Sequence, residues 1–358
     1  MIILDNIIFH LQRTGGISKV FSELISHLIC QEISNDLFFL ETDYSISNIF
    51  RKKLNISAKK IINEKNIGIN RYKNLNIAFK SPYIFHSSYY RICNNRNAIN
   101  ITTVHDFTYE YYFTGLRRYI HSWQKNKAIR KADYIICISE STKKDLLNFL
   151  PDVNSNKIKV IYNGVSEDYY PLSSLCQESI PFDIQSYILF IGTRNGYKNF
   201  KLAVETISNT TYNLLIIGPP LSAKEESLLD NLLGEKRYMV MSGIENSELN
   251  IYYNGAYCLL YPSAYEGFGL PVVEAQRAGC PVIAYNASSI PEIIGNTPLL
   301  LNDLSIESIL KALNILADPL KRSLIIQEGI QNSKRFSWDK MCNEVAQLYK
   351  EALDYCKV

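Results

Sequence analysis

Twelve short runs of Ile, Val, Leu and aromatic residues punctuate the chain, with longer stretches between them whose apolar positions recur at helical spacing. Residues 2–4, 37–40, 83–86, 100–104, 134–139 and 158–162 form a first series of runs. Residues 187–191, 213–217, 238–241, 257–261, 281–284 and 299–301 form a second. Runs that are apolar throughout, rather than alternating, predict strands of parallel sheets buried on both faces. Helical spacing is clearest over 18–30, 141–150, 200–208, 221–233, 271–278 and 306–317. Strands alternating with helices in two series predict two doubly wound α/β domains.

The periodicity lapses over 166–183, a stretch holding Asp168, Pro171, Ser173, Ser174 and Pro181, which predicts a linker between halves of similar size. Residues 337–353 return to an amphipathic pattern behind Ser337, a suitable helix cap. A length of 358 residues suits two cores better than one.

Composition narrows the classes. With 47% hydrophobic and 20% charged residues the chain is neither disordered nor fibrous. No apolar run reaches the roughly 18 residues of a membrane span. The opening MIILDNIIFH lacks a basic lead-in and is broken by Asp5, so it reads as a buried strand rather than a signal peptide. The eight cysteines include no C-x-x-C pair, which removes zinc-finger spacing. Free thiols in a reducing cytoplasm are the expectation.

The net charge of +3 conceals an asymmetry, because residues 51–100 hold 11 basic side chains and only Glu64 as an acid. The segment from Arg51 to Arg96 is either a solvated basic face or a surface for anionic lipid head groups or a phosphate-bearing acceptor. With a pI near 8.3 and no nucleic-acid motif, nucleic acid is not an expected partner.

Four stretches carry candidate chemistry. Gly15-Gly16 opens a predicted helix, where backbone amides can approach an anion, although a glycine pair there also serves as a plain turn. His105-Asp106 follows a strand of the first series, at the carboxyl end where ligands of such sheets collect; a structural histidine is the plainer alternative. The stretch from Ile191 to Asn199 is a strand, a glycine-containing loop with Arg194 and Lys198, and a helix, which suits a diphosphate or a solvated turn. In the stretch from Pro262 to Ala275, Glu266 precedes a glycine-flanked turn. Pro271 fits a first helical turn, and Glu274 lies in an apolar setting where a buried carboxylate needs donors such as sugar hydroxyls.

The sequence SAYEGFGLPVVEAQRAGCPVIAYNA, from Ser263 to Ala287, resembles the signature of glycosyltransferase family 4, including its E-x7-E pair at Glu266 and Glu274. Gly15-Gly16, TVHDF at Thr103–Phe107, ADYIICIS at 132–139, YNGV at 162–165, Ser242-Gly243, SIPEIIG at 289–295 and the final Phe336-Ser337-Trp338 agree in order and spacing. The resemblance implies a GT-B fold, two Rossmann-like doubly wound domains facing a cleft. It implies an acceptor-side domain of residues 1–170, rejoined by residues 337–358, and a nucleotide-sugar domain of residues 171–336.

It also implies roles. Glu274 would bind ribose hydroxyls, while Glu266 and the loop Gly267, Phe268, Gly269 and Leu270 would bind the donor sugar. Lys198, helped by Arg194, would neutralise the diphosphate near Gly192 and Thr193. Gly15 and Gly16 would approach the same phosphates, His105 would touch the donor sugar, and Ile244 would lie against the base. Many family members carry Arg where this chain has Thr193, so Arg194 is the expected substitute.

The function implied is retaining transfer of a hexose from a nucleotide sugar, GDP-mannose or a UDP-sugar, to a lipid-linked or soluble glycan. No cofactor is expected, and no metal, since the chain has no Asp-x-Asp. The protein would be cytoplasmic, with peripheral membrane contact through the basic residues of 51–96. A sugar-nucleotide epimerase or hydrolase, or a silent nucleotide-binding scaffold, are the alternatives on the same fold.

Overall fold

A computed structural model describes residues 1–31, 36–65 and 67–355. Each of the twelve apolar runs contains a strand. β1 (Ile2–Asp5), β2 (Leu37–Glu41), β3 (Ile61–Asn63), β4 (Tyr83–Ser87), β5 (Ala98–Val104), β6 (Tyr134–Cys137) and β7 (Ile158–Val160) form one sheet. Its order is β3-β2-β1-β4-β5-β6-β7, parallel throughout. β8 (Tyr187–Ile191), β9 (Asn213–Ile217), β10 (Tyr238–Met241), β11 (Cys258–Tyr261), β12 (Val282–Tyr285) and β13 (Leu300–Leu301) form a second parallel sheet, ordered β10-β9-β8-β11-β12-β13. Only β3 has no counterpart in the expected runs, and it is a short, incompletely buried edge strand inside the basic segment.

The chain divides into two units, Met1–Gly164 with Ser337–Val358, and Val165–Phe336. The division falls six residues before the expected 170, for a visible reason. The Tyr169 ring is buried, the Tyr170 amide donates to Asn250 Oδ1 at 3.1 Å, and the Leu172 amide donates to Asn254 Oδ1 at 2.8 Å. Side chains of the helix Asn246–Gly255 thus hold the start of the expected linker against the second unit.

The last helix, Trp338–Tyr355, completes the core of the first unit. Its Met341, Val345, Leu348 and Tyr349 join Phe21, Leu24, Ile25 and Leu28 of the helix Gly16–Cys30. Ser337 caps it, accepting from the Lys340 amide at 3.1 Å. A Cβ on Gly164 would overlap the backbone of Ser337 and Trp338, so only glycine lets the returning chain lie there. Among the described residues no helix is long and apolar enough to cross a membrane. The described cysteines are free, with Cys30 and Cys176 exposed and the rest buried; Cys356 lies outside the described residues.

One long helix, Gly115–Lys131, escaped the periodicity reading because polar and apolar residues are mixed on both its buried and its exposed side. It buries Gln124, Lys125, Ala128 and Ile129 while Leu116, Tyr119 and Trp123 face solvent. Lys125 is held inside by Glu110 Oε2 at 2.6 Å, by the Asp106 carbonyl at 2.9 Å and over the Phe107 ring. A buried charge with such partners is tolerated where a bare one is not.

Candidate functional site

In the second sheet the order reverses direction between β8 and β11, and the loops at the carboxyl ends of those two strands carry Lys198 and Glu266. Such a switch point is where open α/β sheets form ligand crevices. Lys198 ends a 3-10 turn, Gly196–Lys198, and is buried. Its ammonium donates to Glu266 Oε1 and, at 3.4 Å, to the Tyr261 hydroxyl. Burial works against the charge, but the Glu266 carboxylate and Tyr261 outweigh it and raise the Lys198 pKa above its ordinary value. The cation is fixed, and it is an ammonium.

The Glu266 loop is braced from β12. The Glu266 amide donates to Ser288 Oγ at 2.7 Å, and the buried Ser289 hydroxyl donates to the carbonyls of Glu266 and Phe268 at 2.9 and 3.1 Å. The Phe268 side chain is buried against Phe336, so only its backbone can face a ligand. Gly269 caps the helix Leu270–Arg277 with φ of 94°, and a Cβ there would stand 2.8 Å from Ile290 Cδ1. Pro271 lies in the first turn of that helix.

One turn further on, Glu274 is buried and accepts from the Tyr253 hydroxyl at 3.3 Å. Burial, and then the Glu274 carboxylate, push the hydroxyl pKa values of Tyr253 and Tyr169 above the ordinary tyrosine value. Tyr169, Tyr253, Tyr261, Ser288 and Ser289 were not foreseen as site residues. The two serines follow the expected strand at 281–284, and Ser289 opens the SIPEIIG stretch that agrees with the family, which were the signals that could have found them.

Arg194 does not join Lys198. Its guanidinium donates to Glu225 at 2.8 Å and to the carbonyls of Pro219 and Pro220 at 2.8 and 2.7 Å. Glu225 also closes the capping box of the helix Ala223–Leu232, accepting from the Ser222 amide at 2.7 Å. Arg194 therefore ties the loops after β8 and β9 together, and it lines a surface groove with Gly196, Lys201 and Lys224 that does not include Lys198. Thr193 is exposed, and the guanidinium beside it is held by Glu225 and the two proline carbonyls through Nε and Nη2, with Nη1 buried and lacking a hydrogen-bond partner. Gly192 follows β8 with its amide on the Ile217 carbonyl, and Ile244 sits half-buried after Gly243 in the loop between β10 and the helix Asn246–Gly255.

In the first unit Gly15 is the N-cap of the helix Gly16–Cys30, which has no side-chain cap. His105 follows β5, 5% exposed, with Nε2 buried and lacking a hydrogen-bond partner. His86 uses both nitrogens, Nδ1 with the Tyr349 hydroxyl at 2.6 Å and Nε2 with Thr103 Oγ1 at 2.8 Å. Burial pushes the pKa of His105 down to about 4 and that of His86 to about 3, from 6.5.

Both histidines are therefore neutral when folded and protonate first in the unfolded chain. Their contribution is complete above about pH 6.5 and is lost as the pH falls from there towards the folded values. The slope is about 1.4 kcal/mol per pH unit for each histidine inside that window. Urea midpoints should be flat above pH 7 and fall steeply from pH 6 to 4.5. A flat profile over the acid range contradicts the neutral, buried assignment.

The basic segment is not one solvated face. Arg51 is buried, its Nε donating to both Glu41 oxygens at 2.7 and 2.9 Å. Arg91 is buried between Asp5 and Glu64. Lys52, Lys53 and Lys59 are exposed, and Lys60 lies over the Phe38 ring.

Two parallel doubly wound sheets, one carrying a buried ammonium and two glutamates around its switch point, define a GT-B glycosyltransferase. Residues 14–169 match the model described as Glycosyltransferase Family 4, and residues 177–332 match that of Glycosyl transferases group 1. O-antigen chain mannosyltransferase B of Escherichia coli is 27% identical over 293 residues, 75% of this chain and 74% of that protein. Sucrose-phosphate synthase from Thermosynechococcus elongatus superposes with a TM-score of 0.75 at 17% identity, covering 99% of each chain. WaaG, a glycosyltransferase involved in lipopolysaccharide biosynthesis, does so with a TM-score of 0.71 at 12% identity, covering 98% of this chain and 99% of its own. The chain belongs to the family 4-like glycosyltransferases.

Proposed function

We propose that the protein is a retaining, metal-independent hexosyltransferase that moves mannose from a nucleotide sugar to a lipid-linked glycan of the O-antigen kind. The observation that carries this reading is the buried pair of Lys198 and Glu266 at the switch point, with Glu274 held one helical turn inside. The name of the Escherichia coli relative supports the sugar and the product class.

The chemistry asks for stabilisation of a departing nucleoside diphosphate while positive charge grows on the anomeric carbon. An ammonium has three N–H donors. Lys198 gives two to Glu266 and Tyr261, which leaves one for a phosphate oxygen. A preorganised cation of this kind needs no rearrangement as charge develops. Glu266 and the amides of the Gly267–Leu270 loop are assigned to the donor sugar, and Glu274 to the ribose. His105, with its unsatisfied Nε2, is assigned to substrate from the first unit. With no side-chain nucleophile assigned, the leaving phosphate would accept the acceptor's proton during same-face attack.

Calorimetry with GDP, UDP and their sugars tests the reading. Glu274→Ala should weaken nucleoside diphosphate binding by about 1.5–3 kcal/mol, while Glu266→Ala should leave it nearly intact and lower turnover. Equal affinity losses would overturn the division of roles. Turnover in excess EDTA should be unchanged; loss on chelation and recovery with magnesium or manganese would end the metal-independent reading. Release of free sugar with no transfer to any acceptor would point to a hydrolase instead.

A further inference from the structure

The segment that leads into the second unit reaches the carboxylate at the inner end of the candidate site. Tyr169, in the stretch expected to be a linker, is 1% exposed, and its ring meets that of Tyr253 edge-on, with centroids 5.7 Å apart at 78°. The Tyr253 hydroxyl donates to Glu274 Oε2 at 3.3 Å. The Tyr169 hydroxyl donates to Asn246 Oδ1 at 3.1 Å and is also hydrogen-bonded to the Glu274 carboxylate. Asn246 is held in turn, its Nδ2 donating to Asp168 Oδ2 at 2.8 Å, and the same oxygen accepts from Ser166 Oγ at 2.8 Å.

Two buried tyrosines on one glutamate do more than fill space, since phenylalanine would occupy the same volume with no hydroxyl to desolvate. An ionised carboxylate has about four lone-pair sites on its two oxygens. Hydroxyls placed on two of them fix the plane of the group and so the direction of the rest. Asn246 opens the helix Asn246–Gly255, directly behind the loop with Ile244 that is expected to hold the base. The Tyr169 hydroxyl therefore joins the carboxylate to the element behind that loop. We propose that Tyr169 and Tyr253 are positioning residues for nucleotide recognition, aiming Glu274 at the hydroxyls of a ribose. The role rests on the assignment of Glu274 to the ribose, and it makes the start of the expected linker part of the nucleotide site.

The test is calorimetry of the full chain with GDP, UDP and the dideoxyribose analogue of each. The wild type should bind one of the two nucleotides at least about tenfold more tightly than its analogue, which lacks both hydroxyls that Glu274 would accept. Tyr169→Phe and Tyr253→Phe keep the rings and remove only the hydroxyls. Each should weaken the nucleotide about tenfold and the analogue hardly at all, so that the preference for ribose falls. A tyrosine that served packing alone would leave that preference unchanged, because a looser core weakens both ligands alike. In a Glu274→Ala background neither change to Phe should weaken the nucleotide further, since a positioning residue acts only through the group it positions.

An unchanged preference in either Phe variant, or losses that simply add to that of Glu274→Ala, overturns the inference and leaves the ribose assignment standing. A wild type that binds nucleotide and analogue equally, or binds neither nucleotide, overturns the ribose assignment itself and the inference with it. The two tyrosines lie on different elements, the expected linker and the helix Asn246–Gly255, so failure of one variant to fold leaves the other to decide.

Discussion

Lys198→Ala is expected to lower turnover by about 100- to 1,000-fold, the usual loss when one preorganised electrostatic donor is removed. Stability should fall with it. The Lys198 and Glu266 side chains are only 11% and 13% exposed, so alanine strands a largely buried carboxylate. Breaking such a pair from one side costs about 3–5 kcal/mol, and partial solvent access places Glu266 near the lower figure. Lys198→Met with Glu266→Gln separates the two effects. The double variant should recover most of the stability by urea unfolding and none of the turnover. Recovery of turnover would mean that Lys198 serves only to neutralise Glu266.

Arg91→Leu is expected to be the most damaging single change in the first unit. Arg91 donates through Nε to Asp5 Oδ2 at 2.9 Å and through Nη2 to Asp5 Oδ1 at 2.5 Å, with Nη1 on both Glu64 oxygens at 3.0 and 2.8 Å. It joins the end of β1, the loop after β3 and the loop after β4, and Ser87 adds a bond to Asp5 Oδ2 at 2.7 Å. Removing it leaves two carboxylates facing each other, Asp5 wholly buried. A loss of about 3–5 kcal/mol follows, which lowers the melting temperature by roughly 10 °C in a unit of this size. Asp5→Asn with Glu64→Gln in the same background should restore part of it. Melting within a degree or two of wild type would show that the network contributes little.

The two sheets were legible because their strands are apolar throughout and evenly spaced, a pattern set by burial on both faces. The helix Gly115–Lys131 was not, because it buries Gln124 and Lys125 beside Ala128 and Ile129 while Leu116, Tyr119 and Trp123 face solvent, and periodicity reports which residues are apolar rather than which way they face. The candidate site divides in the same way. Glu266, Glu274 and Lys198 stand out by residue type, motif and position after strands. Tyr253 and Ser288 carry no such mark and matter because the fold brings a helix and the loop after β12 to those glutamates.

Arg194 and the basic segment mark the limit of reading charge from sequence. A cation in a loop is available or spent according to which acids and carbonyls the fold sets beside it. Glu225 is 31 residues from Arg194, and Asp5 is 86 from Arg91. By itself the sequence determined two parallel α/β units, a final helix behind Ser337 and the loops that carry the candidate chemistry, since these follow from local spacing and residue type, while the return of that helix to the first unit was implied by the family resemblance. Only the tertiary structure decided which cations are locked in ion pairs, where the expected linker becomes part of the second unit, and which aromatic side chains face water. Those outcomes depend on contacts between residues far apart in the chain, where desolvation and pairing set the energy and local pattern carries no record of either.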